Sequence, residues 1–204
     1  MLVSSAYIYL ASRSMRRREL LQQIHVDHEV LLLRVNPPRA RDVDESPAPG
    51  ESPHDYVRRV SRAKAEAAWN RVVERKLPRK TVLAADTTVC LGGRIFGSPA
   101  SAEEARATLK ELSGKEHRVL TAIAVKHEDA LEVEVSESAV RFRDISDGEL
   151  DCYVQSGEPL DKAGGYAIQG RAAVFISEIR GSYSGVMGLP LFETASLLKK
   201  FGVM

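Results

Sequence analysis

Two long β-patterned stretches lie close together in the chain, "HRVLTAIAVKH" at 117–127 and "ALEVEVSESAVRFRD" at 130–144. With the other strand-like runs they exceed what a simple alternating β-α-β wheel requires. "AYIYLAS" and "TVLAAD" are apolar and β-like, and "TTVCLGGRIF" reads as a hairpin turning at Gly92 and Gly93. "AAVFISEIRG" adds a further strand. Helical signals alternate with these. "RRRELLQQI" opens after Ser14, and a long helix starts at Ser52 with Pro53 in its first turn. Capping boxes are expected at Ser101 with Glu104 and at Ser146 with Glu149, and "LPLFETASLLKKFG" reads as a terminal helix. The expectation is a mixed α/β fold, a twisted mixed β-sheet flanked by helices.

The 204 residues suffice for one α/β domain or two small lobes. Net charge is +1, so no global basic field argues for nucleic acid or a membrane surface, and any anion binding must be local. No apolar run approaches the ~20 residues that cross a bilayer. The opening "MLVSSAYIYLAS" reads as a first strand rather than a leader. Cys90 and Cys152, without a CxxC, read as two buried free thiols, which points to the cytoplasm. Residues 34–55 hold five prolines and many charges, the pattern of a connector or a functional loop.

Arg16, Arg17 and Arg18 stand where a helix begins, against the partial positive charge of its free N–H groups. Either this is a solvated basic helix end or an anion completes it. Ser12 and Ser14 add hydroxyls, and the guanidinium forks suit phosphate oxygens. Asp86 closes the apolar run "VLAAD", placing a carboxylate at a strand exit. There it is a metal ligand, a general base or a turn residue, with Thr87 and Thr88 beside it. Lys64 falls within the apolar stripe of the long helix, so it either snorkels or meets a buried anion. "SGEPLDKAGGYAIQG" joins Lys162 and Gln169 to a glycine pair but is not a Walker loop. Gln169 either reads a base edge or bonds backbone. His25 and His28 lack a third metal ligand nearby, and His117 reads as structural or as a donor backing the site.

Taken together these segments resemble the Maf family of nucleoside triphosphate pyrophosphatases. "LASRSMRRRELL" matches its opening motif LASxSPRRxELL with Met15 in place of proline. "DVDES", "VSRAKA", "ADTTV", "LSGKEHRVLTAIAV", "DKAGGYAIQG" and residues 181–194 match later motifs in order. The resemblance implies one domain over residues 1–204, with two lobes around a deep cleft as in inosine triphosphate pyrophosphatases. It implies Asp86 as the catalytic carboxylate, acting as base or metal ligand, and Glu45 with Asp86 as ligands of Mg²⁺ (or Mn²⁺). It places Arg16, Thr87 and Gln169 at positions of substrate specificity and Arg17, Lys64 and Lys162 on phosphates. A homodimer is implied, and a reaction taking dTTP, UTP and modified pyrimidine nucleotides to the monophosphate and pyrophosphate. The alternatives are 7-methyl-GTP as substrate, or an inactive nucleotide-binding regulator linked to cell division. Ser98 stands where the family often has lysine, so a phosphate contact is missing unless a neighbour such as Arg94 supplies it.

Overall fold

A computed structural model describes residues 7–34 and 42–204. Residues 1–6 of the expected first strand and 35–41 of the proline-rich segment lie outside them. The chain runs β1 (Ile8–Leu10), α1 (Met15–Gln23), β2 (His28–Val30), α2 (Pro53–Glu74), β3 (Val82–Leu91) and β4 (Arg94–Phe96). It continues through α3 (Ala102–Leu112), β5 (Glu116–His127), β6 (Ala130–Phe142) and α4 (Asp147–Gln155). After two 3₁₀ turns at Ala163–Gly165 and Arg171–Phe175 come β7 (Ile176–Arg180), α5 (Tyr183–Met187) and α6 (Leu191–Lys200). The strands form a mixed sheet in the order β2-β1-β3-β5-β6-β7, with β4 paired to β3. β1 is parallel to β2 and β3, and the remaining pairs are antiparallel. This is the mixed, helix-flanked sheet the strand excess predicted.

The side-chain period of two divides the long strands between two faces. Leu83, Ala85, Ile123 and Val125 pack with Leu20, Leu21, Leu197 and Leu198 of α1 and α6. On the same face, further along, Val89 and Val119 pack with Leu109, Leu112 and Leu150 of α3 and α4. The opposite face presents Val82, Ala84 and Ala124 to Ala65, Ala68 and Trp69 of α2. Cys90, Leu120 and Ala122 continue that face beneath Val57 and Val60 of the same helix. Thus α2 covers one side, and two separate helix groups cover the other.

Helix starts follow the predicted chemistry. Ser14, Ser52, Ser101 and Ser146 each accept a bond from a backbone N–H of the first turn. Only Ser146 with Glu149 closes a full capping box. Glu104 turns instead to the Ala100 N–H at 2.8 Å. The hairpin forms as expected, with Leu91 opposite Arg94 and positive φ at Gly92 and Gly93, as a two-residue turn of this hand needs.

Other expectations are corrected. Asp86 does not end a strand: β3 continues to Leu91, and the carboxylate sits mid-strand. "AAVFISEIRG" begins as a 3₁₀ turn, and only Ile176–Arg180 pairs in the sheet. Of the two thiols Cys90 is buried and Cys152 is exposed, since α4 turns Cys152 outward. His28 lies in β2 with Nδ1 3.1 Å from the Val26 carbonyl. No helix among the described residues is long and apolar enough to cross a membrane.

Candidate active site

Along its outer edge β3 pairs with β1 at Val82 and Leu83, and with β4 from Val89 to Leu91. No strand pairs with that edge between Ala84 and Thr88 among the described residues. Neighbouring side chains of a strand point to opposite faces, so Asp86 and Thr87 look away from each other. The gap in the edge lets one opening reach both. A cleft of about 550 Å³ occupies it, within the range of ligand sites. Ser12, Arg16, Arg17, Glu45, Lys64, Asp86, Thr87, Lys162 and Gln169 all line this cleft.

On the α2 face, Asp86 is buried and its Oδ1 accepts from Lys64 Nζ at 2.8 Å. The same ammonium donates to Glu45 Oε2 at 2.7 Å. Lys64 therefore bridges two carboxylates and does not snorkel to solvent. Asp86 Oδ2 is buried with no partner among the described residues. Glu45 is carried by a segment fastened to α2 at several points. Tyr56 donates to the Glu45 carbonyl at 3.0 Å, and Arg59 donates to the carbonyls of Asp44 and Ser46. Arg71, buried two helical turns after Lys64, makes a bidentate pair with Asp42 at 2.8 Å for each bond. That guanidinium, with the Arg34 N–H, holds the Asp42 carboxyl below its ordinary value. Arg59 is committed to Glu51 and to this segment.

On the opposite face stand the arginines. Arg16 Nε donates to the Met187 carbonyl at 3.3 Å, and Arg17 Nε donates to Gly188 O at 2.8 Å. The carbonyl end of α5 thus meets the cations at the N-terminus of α1, which relieves part of their unfavourable placement. Arg17 also donates to Ser12 Oγ at 3.2 Å and to Thr87 Oγ1 at 3.1 Å. Burial pulls its guanidinium below the ordinary value and Arg16 adds to this, while Asp86 and Glu45 pull it upward. A guanidinium stays charged through such a shift. Ser12 Oγ accepts from both Arg17 and the Ser14 N–H, which leaves its own proton for a ligand.

The third wall is the glycine-pair segment. Gly164 has positive φ, and a Cβ there would lie 2.7 Å from Val89, so the close approach to β3 requires glycine. Its N–H donates to Gly97 O at 3.0 Å. Lys162 is held at 2.7 Å by Asp161 at the cleft wall, and Gln169 is exposed there. Tyr166 lines the cleft with its hydroxyl 2.8 Å from His117 Nε2, so His117 backs the wall. Burial pushes His117 down to about 4. Ser98 also lines the cleft, whereas Arg94 is not among its lining residues and pairs with Glu111 at 2.7 Å.

The oxygen donors suit a hard divalent cation. Glu45 and Asp86 offer two carboxylates, and Asp86 Oδ2 is a buried acceptor without a partner among the described residues. Among the described residues no group of three or more His, Cys, Asp or Glu could hold a metal by itself. Two carboxylates completed by phosphates and water is the usual Mg²⁺ arrangement, so the residues fit that ion. Sequence reasoning missed Asp42, Arg71 and Thr121. For Arg71 the signal was present, because it repeats the Lys64 position on the same side of α2.

A family model described as Maf-like protein matches residues 7–201. The chain is similar to a dTTP/UTP pyrophosphatase of Nitrosomonas europaea, 55% identical over 96% of this chain and 95% of the relative. It is similar also to a dTTP/UTP pyrophosphatase of Aromatoleum aromaticum, 56% identical over 97% of this chain and 96% of the relative. Among solved structures it is similar to the Staphylococcus aureus Ham1 protein, with a TM-score of 0.43 and 22% identity. That match covers 69% of this chain and 72% of the other. The matched span takes in every element that lines the cleft, and the chain belongs to the Maf-like protein family.

Proposed function

We propose that the chain hydrolyses nucleoside triphosphates to the monophosphate and pyrophosphate, with dTTP, UTP and modified pyrimidine nucleotides as preferred substrates. The observation that carries this reading is the meeting of Arg16, Arg17, Lys64 and Lys162 with Asp86 and Glu45 in one cleft. The names of relatives more than half identical along nearly their whole length support the choice of nucleotide.

Transfer at phosphorus needs alignment and charge neutralisation more than a covalent intermediate. Water attacks the α-phosphorus, the bond to the β-phosphate bridge breaks, and pyrophosphate leaves. Asp86 takes the proton of the attacking water, while its Oδ1 remains fixed by Lys64. Arg17 and Lys162 face the charge that grows on the leaving group, and the Ser12 hydroxyl donates to a phosphate oxygen. Glu45 and Asp86 would hold Mg²⁺ (or Mn²⁺), which when bound neutralises phosphate charge and polarises the reacting phosphorus. Arg16, Thr87 and Gln169 distinguish the base. The same reading includes a homodimer in the cytoplasm. Exposed Tyr183 and Phe192 on neighbouring helices support a protein contact, which sedimentation would measure.

The test is release of pyrophosphate from a panel of canonical and methylated triphosphates with Mg²⁺. Fastest turnover of UTP and dTTP is expected. Preference for 7-methyl-GTP, or binding without turnover, refutes the assignment.

A further inference from the structure

We infer that Thr121, which has no surface on the cleft, is the positioning residue that holds Arg17 in readiness for an anionic ligand. The identity of that ligand as a nucleotide triphosphate rests on the reading above; the bonds do not.

Thr121 lies on β5 directly opposite Thr87 and is fully buried. Its Oγ1 is 2.7 Å from Gly185 O and 2.9 Å from Thr87 Oγ1. A carbonyl only accepts, so the single Thr121 proton goes to Gly185. The contact between the threonines then has one possible direction, with Thr87 donating to Thr121. Having given its proton inward, Thr87 Oγ1 turns lone pairs outward, and Arg17 Nη2 donates to one of them at 3.1 Å. The order is fixed along the whole chain, from Arg17 through Thr87 and Thr121 to Gly185.

Two consequences follow for Arg17. Its guanidinium has five N–H groups, of which Gly188 O, Ser12 Oγ and Thr87 Oγ1 engage three. No partner among the described residues engages the other two, which leaves them for an anion on a side chain already held at three points. The second consequence concerns α5. The Thr121 bond to Gly185 ties down the turn whose next carbonyls, Met187 O and Gly188 O, receive Arg16 and Arg17. One buried hydroxyl thereby sets the acceptor in front of Arg17 and steadies the acceptor behind it.

Thr121→Val removes the hydroxyl and keeps the branched shape, while Thr121→Ser keeps the hydroxyl and removes the methyl. With UTP and Mg²⁺ the valine variant is expected to raise KM about fivefold, the size of the loss when one side chain must be ordered on binding, with kcat within about twofold. The serine variant should stay within about twofold of the parent in both. A second readout needs no nucleotide: solvent exchange of the Arg17 Nε–H by NMR should quicken in the valine variant and not in the serine variant. Thr121→Ala tests the same loss should the valine variant not fold. Equal defects in valine and serine variants would assign Thr121 to packing and overturn the inference, as would unchanged KM and exchange in Thr121→Val. A parent protein that releases no pyrophosphate would sink the enzymatic reading instead, and Nε–H exchange would still decide the role of Thr121.

Discussion

Lys64 and Asp86, contributed by α2 and by the middle of β3, meet at 2.8 Å beneath the cleft, and the same ammonium reaches Glu45 at 2.7 Å. A single cation thus lies between the two carboxylates that would hold a divalent ion. Charge of the same sign cannot crowd that place without cost.

From this arrangement Lys64→Met is expected to bind Mn²⁺ about tenfold more tightly than the parent in the absence of nucleotide, a change of about 1.4 kcal/mol. The same variant should bind nucleotide more weakly, having lost a cation that lines the cleft. Calorimetric titration with each ligand separately measures both. Unchanged Mn²⁺ affinity would mean that Lys64 does not compete with the ion.

Asp86→Asn keeps the shape of the side chain and removes its capacity to take a proton. Turnover of UTP should vanish while nucleotide affinity stays within about tenfold of the parent. Pyrophosphate release and equilibrium binding on the same preparation check this, and near-normal turnover would refute the role given to Asp86.

The pair of Arg71 with Asp42 anchors the segment that carries Glu45. Arg71→Met leaves the Asp42 carboxylate with the Arg34 N–H at 2.7 Å and the more distant Arg34 guanidinium at 3.6 Å, so a loss of about 2 kcal/mol in urea unfolding is expected. A lowered affinity for nucleotide with Mg²⁺ should accompany it, because Glu45 loses its support. A stability loss with no change in affinity would show that Glu45 is held adequately by Tyr56 and Arg59.

Ser98 lines the cleft, and Arg94 is committed to Glu111. Ser98→Lys is expected to lower KM for UTP about threefold, the worth of a modest exposed charge contact. An unaltered KM across a salt titration would place Ser98 beyond reach of the phosphates.

Burial keeps His117 neutral in the folded protein, with its titration lowered to about 4. The unfolded chain titrates it near 6.5, so between these values the unfolded state binds more protons and stability falls as pH falls. The contribution is complete above about pH 6.5, and about 2 kcal/mol of it is gone by pH 4.5. Urea unfolding at pH 7 and pH 4.5 should show this loss in the parent and a smaller one in His117→Gln. An equal loss in both would assign the acid sensitivity to other groups.

Much of this architecture is legible in the residues. Serine caps mark four helix starts, Gly92 and Gly93 mark the hairpin, and alternation marks β5 and β6, because these signals are local. The family resemblance also implied a shared site for Arg16, Arg17, Lys64, Asp86, Lys162 and Gln169, which line one cleft. What escaped is what distance decides. β1 and β2 are three residues each and exist through parallel pairing across the chain. α5 is too short for a helical period. The polar run "DTT" looked like the end of a strand because an interior strand rarely carries such residues. Here β3 does, since its edge is open beside them. Thr121 gave no sign at all, as its partner at Gly185 lies 64 positions away and a threonine in a strand is ordinary.

The strands β3, β5 and β6 run unbroken beneath both helix groups that flank the cleft. Levering those flanks apart would mean tearing the ladder on each side of Asp86, at the cooperative centre of the molecule. The floor of the gap therefore has a built-in gauge, set by the backbone spacing of these paired strands. On such a floor, the side chains that project into the gap are the parts free to vary without disturbing the sheet.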